Sequence, residues 1–566
     1  MKNSTNRTNS IIKVGIGLLA LFLVNIGGTF FFTRLDLTSE KRHTLTGETI
    51  KMVQNLNDRV FIRVYLEGDF PADFKRLRNA VKERLDELKA YGGEKIEYEF
   101  INPSENPDKN LRQQVWRKLV ESGLEPTEIT VEGKDALERK LIFPGAIISY
   151  RGKELPIQIL RSHDAAPSPE ILNSSINNLE YNIANSIRRL TDRRSPKIGI
   201  LAGHGELSNL ELEDFVKAAS DLYSVERVRI DSQLNALLGI NCLVIAKPDS
   251  AFNEKDKFII DQFIMRGGRV LWCLEGIDAS MDSLRGNDKM QTLGLSKSVN
   301  LEDQLFTYGV RVRPELLIDR SCTPIALNVG KFGDKPNLQM FPWYFNPVIV
   351  PGGNHPINLN VDPIYTEFLS GIDTVGFPFI QKTILLHSSA YTRIMRAPVR
   401  INLGIVGINP NFGKNSAGPQ PVAVLLEGRF KSAFANRISS QIATSKAINF
   451  KTESVRPTKM IVIGDGDIIK NKTNKEKGIF YPLGYDNYQN RKIYGNREFL
   501  LNALNFLMDD SGMIAVRSRE IKLRKLDGEK LIAGRTRWQI INIGGPIFLV
   551  MLLGLSIYYV RKRKYA

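Results

Sequence analysis

Apolar residues run almost unbroken in two places, Val14 to Phe32 and Ile540 to Val560, and are spaced out everywhere between them. About twenty consecutive apolar residues cross a hydrocarbon core as a helix, so each run predicts a transmembrane span. The first is interrupted only by Asn25, Thr29 and small residues. A cleaved signal would have a shorter apolar stretch and an A-x-A-like site, so this run reads as an uncleaved anchor. The second is preceded by Trp538, ends in Tyr558 and Tyr559, and is stopped by Arg561 to Lys564. Aromatic residues at both headgroup layers followed by basic residues are the mark of a spanning helix. Pro546, beside Gly544 and Gly545, falls in the first turns, where it kinks a helix without preventing a span.

Between the spans the apolar spacing alternates between two periods. Thr44 or Thr46 can cap an amphipathic helix carrying Ile50, Val53 and Leu56. RVFIRVYLE alternates as a strand, Phe74 to Tyr91 puts Leu77, Val81, Leu85 and Leu88 on one helix face, and KIEYEFINP is a second strand. A helix over Asn110 to Ser122, strands near Ile129 and in LIFPGAIISYRGKELPIQI, and a helix from Ser174 to Leu190 complete an α/β unit. Its order of elements resembles a thioredoxin-like fold. The redox CxxC of that fold is missing, so oxidoreductase chemistry is not expected.

The charged linker TDRRSPK ends that unit, and KIGILAG opens another. A helix over Leu210 to Leu222, strands SVERVRI and NCLVIA, a helix over Glu254 to Arg266 and the strand GGRVLWCLEG alternate as a parallel α/β domain. Later strands are expected at LLIDR, TILLHSS, VAVLLEG and KMIVIGD, with a closing helix from Asn496 to Leu507. The pattern resembles class I glutamine-amidotransferase or flavodoxin-like topology. Gly330 to Asn360, rich in glycine, proline and aromatics, reads as a functional or packing loop. The predicted plan is a tail (1–13), a transmembrane helix (14–33), a thioredoxin-like α/β domain (34–194) and an amidotransferase-like or flavodoxin-like α/β domain (195–512). A juxtamembrane segment (513–538), a second transmembrane helix (539–560) and a basic tail (561–566) follow.

At 566 residues the chain is too long for one core, and 42% hydrophobic with 25% charged residues is a globular composition. The net charge of +17 does not point to nucleic acid, because basic residues are dispersed among 61 acids and no aromatic-lined basic groove is apparent. Part of the excess lies at the membrane ends, at Lys2, Arg7 and Lys13 and at Arg561 to Lys564, where anionic lipid is the counter-charge. Both short tails are basic and free of acids. The positive-inside rule therefore puts both termini in the cytoplasm and the body on the far side of the bilayer.

Cys242, Cys273 and Cys322 exclude a disulfide-stapled fold, and whether any two are bridged stays open. Cys273 follows a strand where an amidotransferase nucleophile would fall. The histidine and carboxylate such a thiol needs are not evident among His43, His163, His204, His355 and His387. Gly203 to Glu206 (GHGE) could receive an anion at a helix start, but reads as a tight turn without the lysine and hydroxyl of a phosphate loop. Gly464 to Asp467 (GDGD) places two carboxylates at a strand end, as a magnesium site would, and reads as a turn capping the next helix. No catalytic, cofactor or metal residue is assigned. The aromatic run Phe341, Trp343, Tyr344 and Phe345, with His355, is the candidate for ligand or partner contact.

DLTSEKRHTLTGET after an N-terminal anchor, KIGILAGHGE, NHPI at 354–357, VIGDGDIIKN, and GNREFLLNALNFLMDD before a C-terminal anchor occur in one order. In that order they resemble the gliding-motility ABC-transporter auxiliary family of the GldG type. The resemblance spans nearly the whole chain and implies an inner-membrane protein with a periplasmic body, beside a separate ABC permease and a cytoplasmic ATPase. A non-catalytic transporter component is the expected function. A periplasmic receptor for a glycan or peptide, using the 330–360 segment, is the alternative.

Overall fold

The computed structural model describes residues 15–17, 19–22, 44–132, 137–160, 169–191, 196–285, 291–332, 335–353, 355–359, 361–376, 379–408, 410–446, 448–509 and 534–565. Contacts divide the chain into two compact units, Met1–Arg519 and Glu520–Ala566. Of the predicted first span, 15–17 and 19–22 are helical, and the remainder lies outside the described residues.

The first unit opens with helix α1 (Gly47–Gln54), whose N-cap Thr46 accepts from the Thr49 amide, as its hydroxyl chemistry predicts. There follow β1 (Val60–Val64), α2 (Ala72–Gly92), β2 (Ile96–Phe100), α3 (Lys109–Glu121), β3 (Thr127–Glu132), β4 (Leu137–Ile142), β5 (Gly145–Tyr150), β6 (Lys153–Gln158), α4 (Pro169–Asn177) and α5 (Leu179–Thr191). The sheet order is β2-β1-β5-β6. The β1–β2 pair is parallel, and β5 and β6 run antiparallel to their neighbours. β3 and β4 form a separate hairpin. Leu77, Val81, Leu85 and Leu88, one face of α2, are buried against the sheet with Ile183 and Ile187 of α5. The single helix expected over 174–190 is two, broken at Asn178.

The second sheet carries β7 (Lys197–Ala202), α6 (Asn209–Ser220), β8 (Ser224–Arg229), β9 (Cys242–Ala246), α7 (Glu254–Met265) and β10 (Arg269–Cys273). Strands β7 to β10 are parallel in the order β8-β7-β9-β10. Every residue of β9 and β10 is buried, as both faces of a parallel sheet are covered. Alternate residues go to opposite layers. Val244 and Leu271 pack with Leu212 and Phe215 of α6, while Ile245, Val270 and Trp272 pack with Ile260 and Ile264 of α7.

After β10 the chain leaves the sheet. It forms β11 (Ile277–Asp278), β12 (Gln291–Ser296), α8 (Glu302–Tyr308), β13 (Val310–Val312), β14 (Glu315–Asp319), β15 (Cys322–Phe332), β16 (Lys335–Ile349), β17 (Ile364–Tyr365), β18 (Ile372–Thr374), β19 (Ile380–His387), β20 (Thr392–Arg396) and β21 (Val399–Asn402). It then returns through β22 (Pro421–Gly428) and β23 (Thr458–Ile463) to α9 (Asn496–Met508). β23 is parallel to β10, and β22 and β19 are added antiparallel at that edge. Three expected strands therefore join the sheet. LLIDR does not, because β14 pairs with β20 inside the insertion.

The insertion has its own core of Leu316, Ile318, Trp343, Phe345, Phe368, Val399 and Ile401. Gly330 to Asn360 is accordingly not a loop over most of its length. β15 and β16 form a long antiparallel hairpin in which Pro324 faces Pro342 and Cys322 faces Pro347. Proline is tolerated because β16 pairs along much of its length on one side only, so missing amide donors leave no ladder partner unmet.

The second unit contains α10 (Arg535–Tyr565), with Pro546 inside it. Thr536–Arg563, 28 residues, is long and apolar enough to cross a membrane and is wholly unburied.

Trp343 is fully buried and Leu338, on the same hairpin, is 61% exposed. Trp343→Ala is expected to cost about 3–5 kcal/mol and Leu338→Ala less than about 0.5 kcal/mol. Urea unfolding of the two variants beside the wild type measures the difference.

Candidate functional site

Three neighbouring parallel strands each deliver a charged residue to the same edge of the sheet. β9 is followed by Lys247, β10 by Glu275 one residue further on, and β23 by Asp465 and Asp467. The Lys247 ammonium lies 2.8 Å from Glu275 Oε1 and 2.5 Å from Asp467 Oδ2. Lys470 approaches Asp467 Oδ1 at 3.3 Å, and Lys297 bridges Glu275 at 3.3 Å and Asp249 at 2.8 Å. The centre of the cluster is removed from solvent, with the side chains of Glu275 and Asp467 3% and 5% exposed, while Asp249 and Lys470 reach the surface.

The insertion closes over the cluster. The Glu367 amide donates to Asp465 Oδ2 at 3.0 Å, Tyr365 Oη donates to Glu367 Oε1 at 2.6 Å, and the Ser370 amide donates to Gly464 O at 2.8 Å. Two glycines permit this approach through space rather than conformation. A Cβ on Gly464 would stand 2.3 Å from Ser370 O, and one on Gly276 would stand 2.1 Å from Arg313 O.

Burial, followed by repulsion from Asp467, pushes the Glu275 carboxyl up to about 7 against the pull of Lys247 and Lys297. Asp465 is held well above the carboxylate range by burial and by Asp467 and Glu275. Burial also opposes ionisation of Asp467, but Lys247 and Lys470 outweigh it and hold its carboxyl below the usual value. For Lys247, burial disfavours the ammonium, yet Asp467 and Glu275 prevail and keep it protonated. A protonated lysine is neither a nucleophile nor a base. The carboxylate oxygens of Glu275, Asp465 and Asp467 lie within 4.8 Å of one another, the grouping that surrounds a cation. The cation in contact with two of them is Lys247's own ammonium, so the arrangement works as an ion-pair clamp between β9, β10 and β23.

GDGD thus divides its work. Asp465 accepts the Asp467 amide at 2.7 Å and so closes the turn, but the short helix that follows (Asp467–Ile469) is capped by Gly466 without a side-chain hydrogen bond, contrary to the capping expectation, and Asp467 belongs to the clamp. GHGE is a turn with positive φ at Gly203 and Gly205. The amides at the start of α6 are met by a Ser208–Glu211 capping box, and the Asp249 and Ser250 amides donate to His204 O. His204-x-Glu206 is a histidine–carboxylate pair that sequence reasoning passed over. His204 Nδ1 is 3.3 Å from Glu206 and Nε2 is 3.0 Å from Asp256, with the ring stacked on Phe252 at 3.8 Å.

Cys242, Cys273 and Cys322 are all free. Burial pushes the Cys273 thiol up, the opposite of an activated nucleophile, and raises Cys242 to about 12 and Cys322 to about 11. Trp343 and Phe345 are fully buried in the insertion, while Phe341 and Tyr344 are half-buried, Tyr344 against Phe412. His355 packs on Phe506 of α9 at 5.0 Å, against the other core. Lys247, Glu275, Lys297, Glu367 and Tyr365 were not singled out in sequence. Lys247 and Glu275 share one signal, a charge just beyond an all-apolar strand, as in CLVIAK and RVLWCLE.

The family described as an ABC-type uncharacterized transport system matches residues 195–503, more than half of the chain. This protein belongs to that ABC-transport family. A domain of unknown function matches residues 39–149. An uncharacterized protein of Borreliella burgdorferi is 22% identical over 342 residues, 60% of this chain and 61% of that protein. The match therefore spans less than two thirds of that relative. The solved structure of the mmIFT52 N-terminal domain aligns with a TM-score of 0.31 and 13% identity, over 56% of this chain and 98% of that one. In this ABC-transport family member the clamp lies within the matched region.

Removing the resident cation leaves Asp467 only Lys470 and Glu275 only Lys297, each at 3.3 Å and on the oxygen that Lys247 does not touch. Lys247→Met is expected to lose about 3–5 kcal/mol, measured by urea unfolding at pH 7, with the loss shrinking as acid protonates Glu275. His204 gives a second test. Burial disfavours its imidazolium, but the hydrogen bonds it donates to Glu206 and Asp256 prevail and raise its pKa above 6.5. A raised folded value contributes stability below the unfolded pKa and loses it as pH rises through the folded one. The stability advantage of wild type over His204→Gln is thus expected to be constant below about 6.5 and to shrink above it, as a series of melts from pH 5 to 9 would record.

Proposed function

We propose that the chain is a membrane-anchored, non-catalytic component of an ABC-type transport complex that works beside a separate permease and a cytoplasmic ATPase. One observation carries the reading: a body of an ABC-transport family is joined to a 28-residue apolar helix that nothing in its own unit buries. The clamp supports the non-catalytic part. Ligands of open α/β sheets bind outside the carboxyl ends of the strands, and here that edge is covered by the chain's own insertion and neutralised by its own lysine.

Within this reading the protein belongs to a gliding-motility or associated secretion system of the GldG type, in the bacterial inner membrane. Both termini are cytoplasmic and the main body is periplasmic, in keeping with the basic, acid-free tails. The order β2-β1-β5-β6 supports a thioredoxin-like N-terminal domain without its redox motif, and β8-β7-β9-β10 supports a flavodoxin-like second domain. The apolar runs 14–33 and 539–560 pack on the permease, where Gly27, Gly28, Gly544 and Gly545 favour close helix contact.

Purification of the intact protein in mild detergent, followed by mass spectrometry, tests the assignment. Co-isolation of one permease and one ATPase is expected. Repeated recovery of the protein without either subunit contradicts it. Leu552→Arg, near the middle of α10, is expected to raise the insertion free energy by about 3 kcal/mol. The fraction resistant to alkaline extraction from membranes should fall accordingly.

A further inference from the structure

The segment after the clamp builds a groove that neither the family nor the proposed function assigns. Beyond Lys470 the chain folds into two short hairpins, Thr473–Asn474 with Ile479–Phe480 and Tyr485–Asp486 with Arg491–Lys492. Between them lies an open groove of about 580 Å³. It adjoins the carboxyl edge of the sheet. The Asn471 amide donates to Glu211 O of α6, and Leu483 N donates to Asp214 Oδ2 of the same helix.

The lining is chemically uniform. It has no aliphatic side chain: it consists of Tyr481, Tyr485, three asparagines, a threonine, two lysines and one glutamate. The two tyrosine rings stack at 4.7 Å with 23° between their planes, making one rigid aromatic slab. Among the described residues, the Asn487 side chain and the Tyr481 hydroxyl have no hydrogen-bond partner. Across 470–492 six lysines and arginines stand beside two acids; Lys470, Lys475 and Lys492 also meet Asp467, Glu211 and Glu498 from outside the segment, and Asp486 is buried and accepts the Tyr488 and Gln489 amides.

We infer that this groove binds an acidic saccharide. A flat aromatic surface matches the C–H face of a pyranose ring. An asparagine side chain offers a donor and an acceptor side by side, the pair that neighbouring sugar hydroxyls require. The two lysines of the lining, Lys472 and Lys475, against its one acid, Glu476, select a carboxylate or sulfate on the sugar. The absence of aliphatic lining disfavours peptide side chains, which need apolar pockets. This goes beyond the transport role and does not depend on which permease is bound.

The test uses the full-length protein in nanodiscs of zwitterionic lipid, titrated calorimetrically with tetragalacturonic acid, cellotetraose and inorganic phosphate. Saturable binding of the acidic tetrasaccharide is expected, with the neutral one weaker. Tyr481→Ala and Asn487→Ala should each weaken binding by about tenfold while the melting temperature and the behaviour of Leu338→Ala stay at wild-type values. Absence of saturable binding to the acidic sugar, equal affinity for phosphate alone, or indifference of both groove variants would overturn the proposal.

Discussion

The structure depends on an ammonium ion held in a place from which water has been removed. Lys247 sits between Glu275 and Asp467 at the carboxyl edge of a parallel sheet, where taking charge out of water costs several kcal/mol per ion. That cost is offset only because attraction is strong at low dielectric and because the neighbouring carboxyls, Asp465 and Glu275, are pushed toward their neutral forms. The clamp joins residues more than two hundred positions apart, and so fixes how the returning strand β23 sits beside β10. It also fixes the seat of the insertion, since Glu367 and Ser370 dock on Asp465 and Gly464.

This constraint explains the relation between fold and function. An open α/β sheet offers a ligand crevice at its carboxyl edge, and here the chain closes that crevice with its own loops. GHGE is held by Asp249 and Ser250, the helix start behind it carries a capping box, and the clamp's lysine is held as the ammonium. A sheet closed in this way fits the non-catalytic role proposed above. The groove beyond β23 is built on the sheet's outer side from later hairpins, which can vary without disturbing the ions beneath.

Much of the local structure was legible in the sequence because its causes are local. Leu77, Val81, Leu85 and Leu88 share a helix face by spacing alone, Thr46 is a hydroxyl before a helix, and unbroken apolar runs such as CLVIA can only be buried strands. The 28-residue apolar helix in α10 was equally plain, since its length and composition are read directly from the sequence. What was not legible arises from contacts made at long range. The hairpin of β15 and β16 hid behind its prolines, which read as loop unless the unpaired side of β16 is known. The strand LLIDR has the pattern of a central strand and lies instead in the insertion, because its partner β20 follows some seventy residues later. The clamp was half visible, in that GDGD was noted at a strand end. Lys247 and Glu275 carry no local mark beyond their place after apolar strands. His204-x-Glu206 was present in the sequence and was missed because it was sought beside Cys273, which it does not serve.

Hydrogen exchange on the full-length protein tests most directly whether the clamp seats the insertion. The amides of Glu367 and Ser370 are bonded across that junction and that of Asp467 within the turn they dock on, and the account predicts that segments 365–371 and 464–470 exchange as slowly as the buried strands β9 and β10. Exchange of these segments at the rate of surface loops, with β9 and β10 still protected, would contradict it.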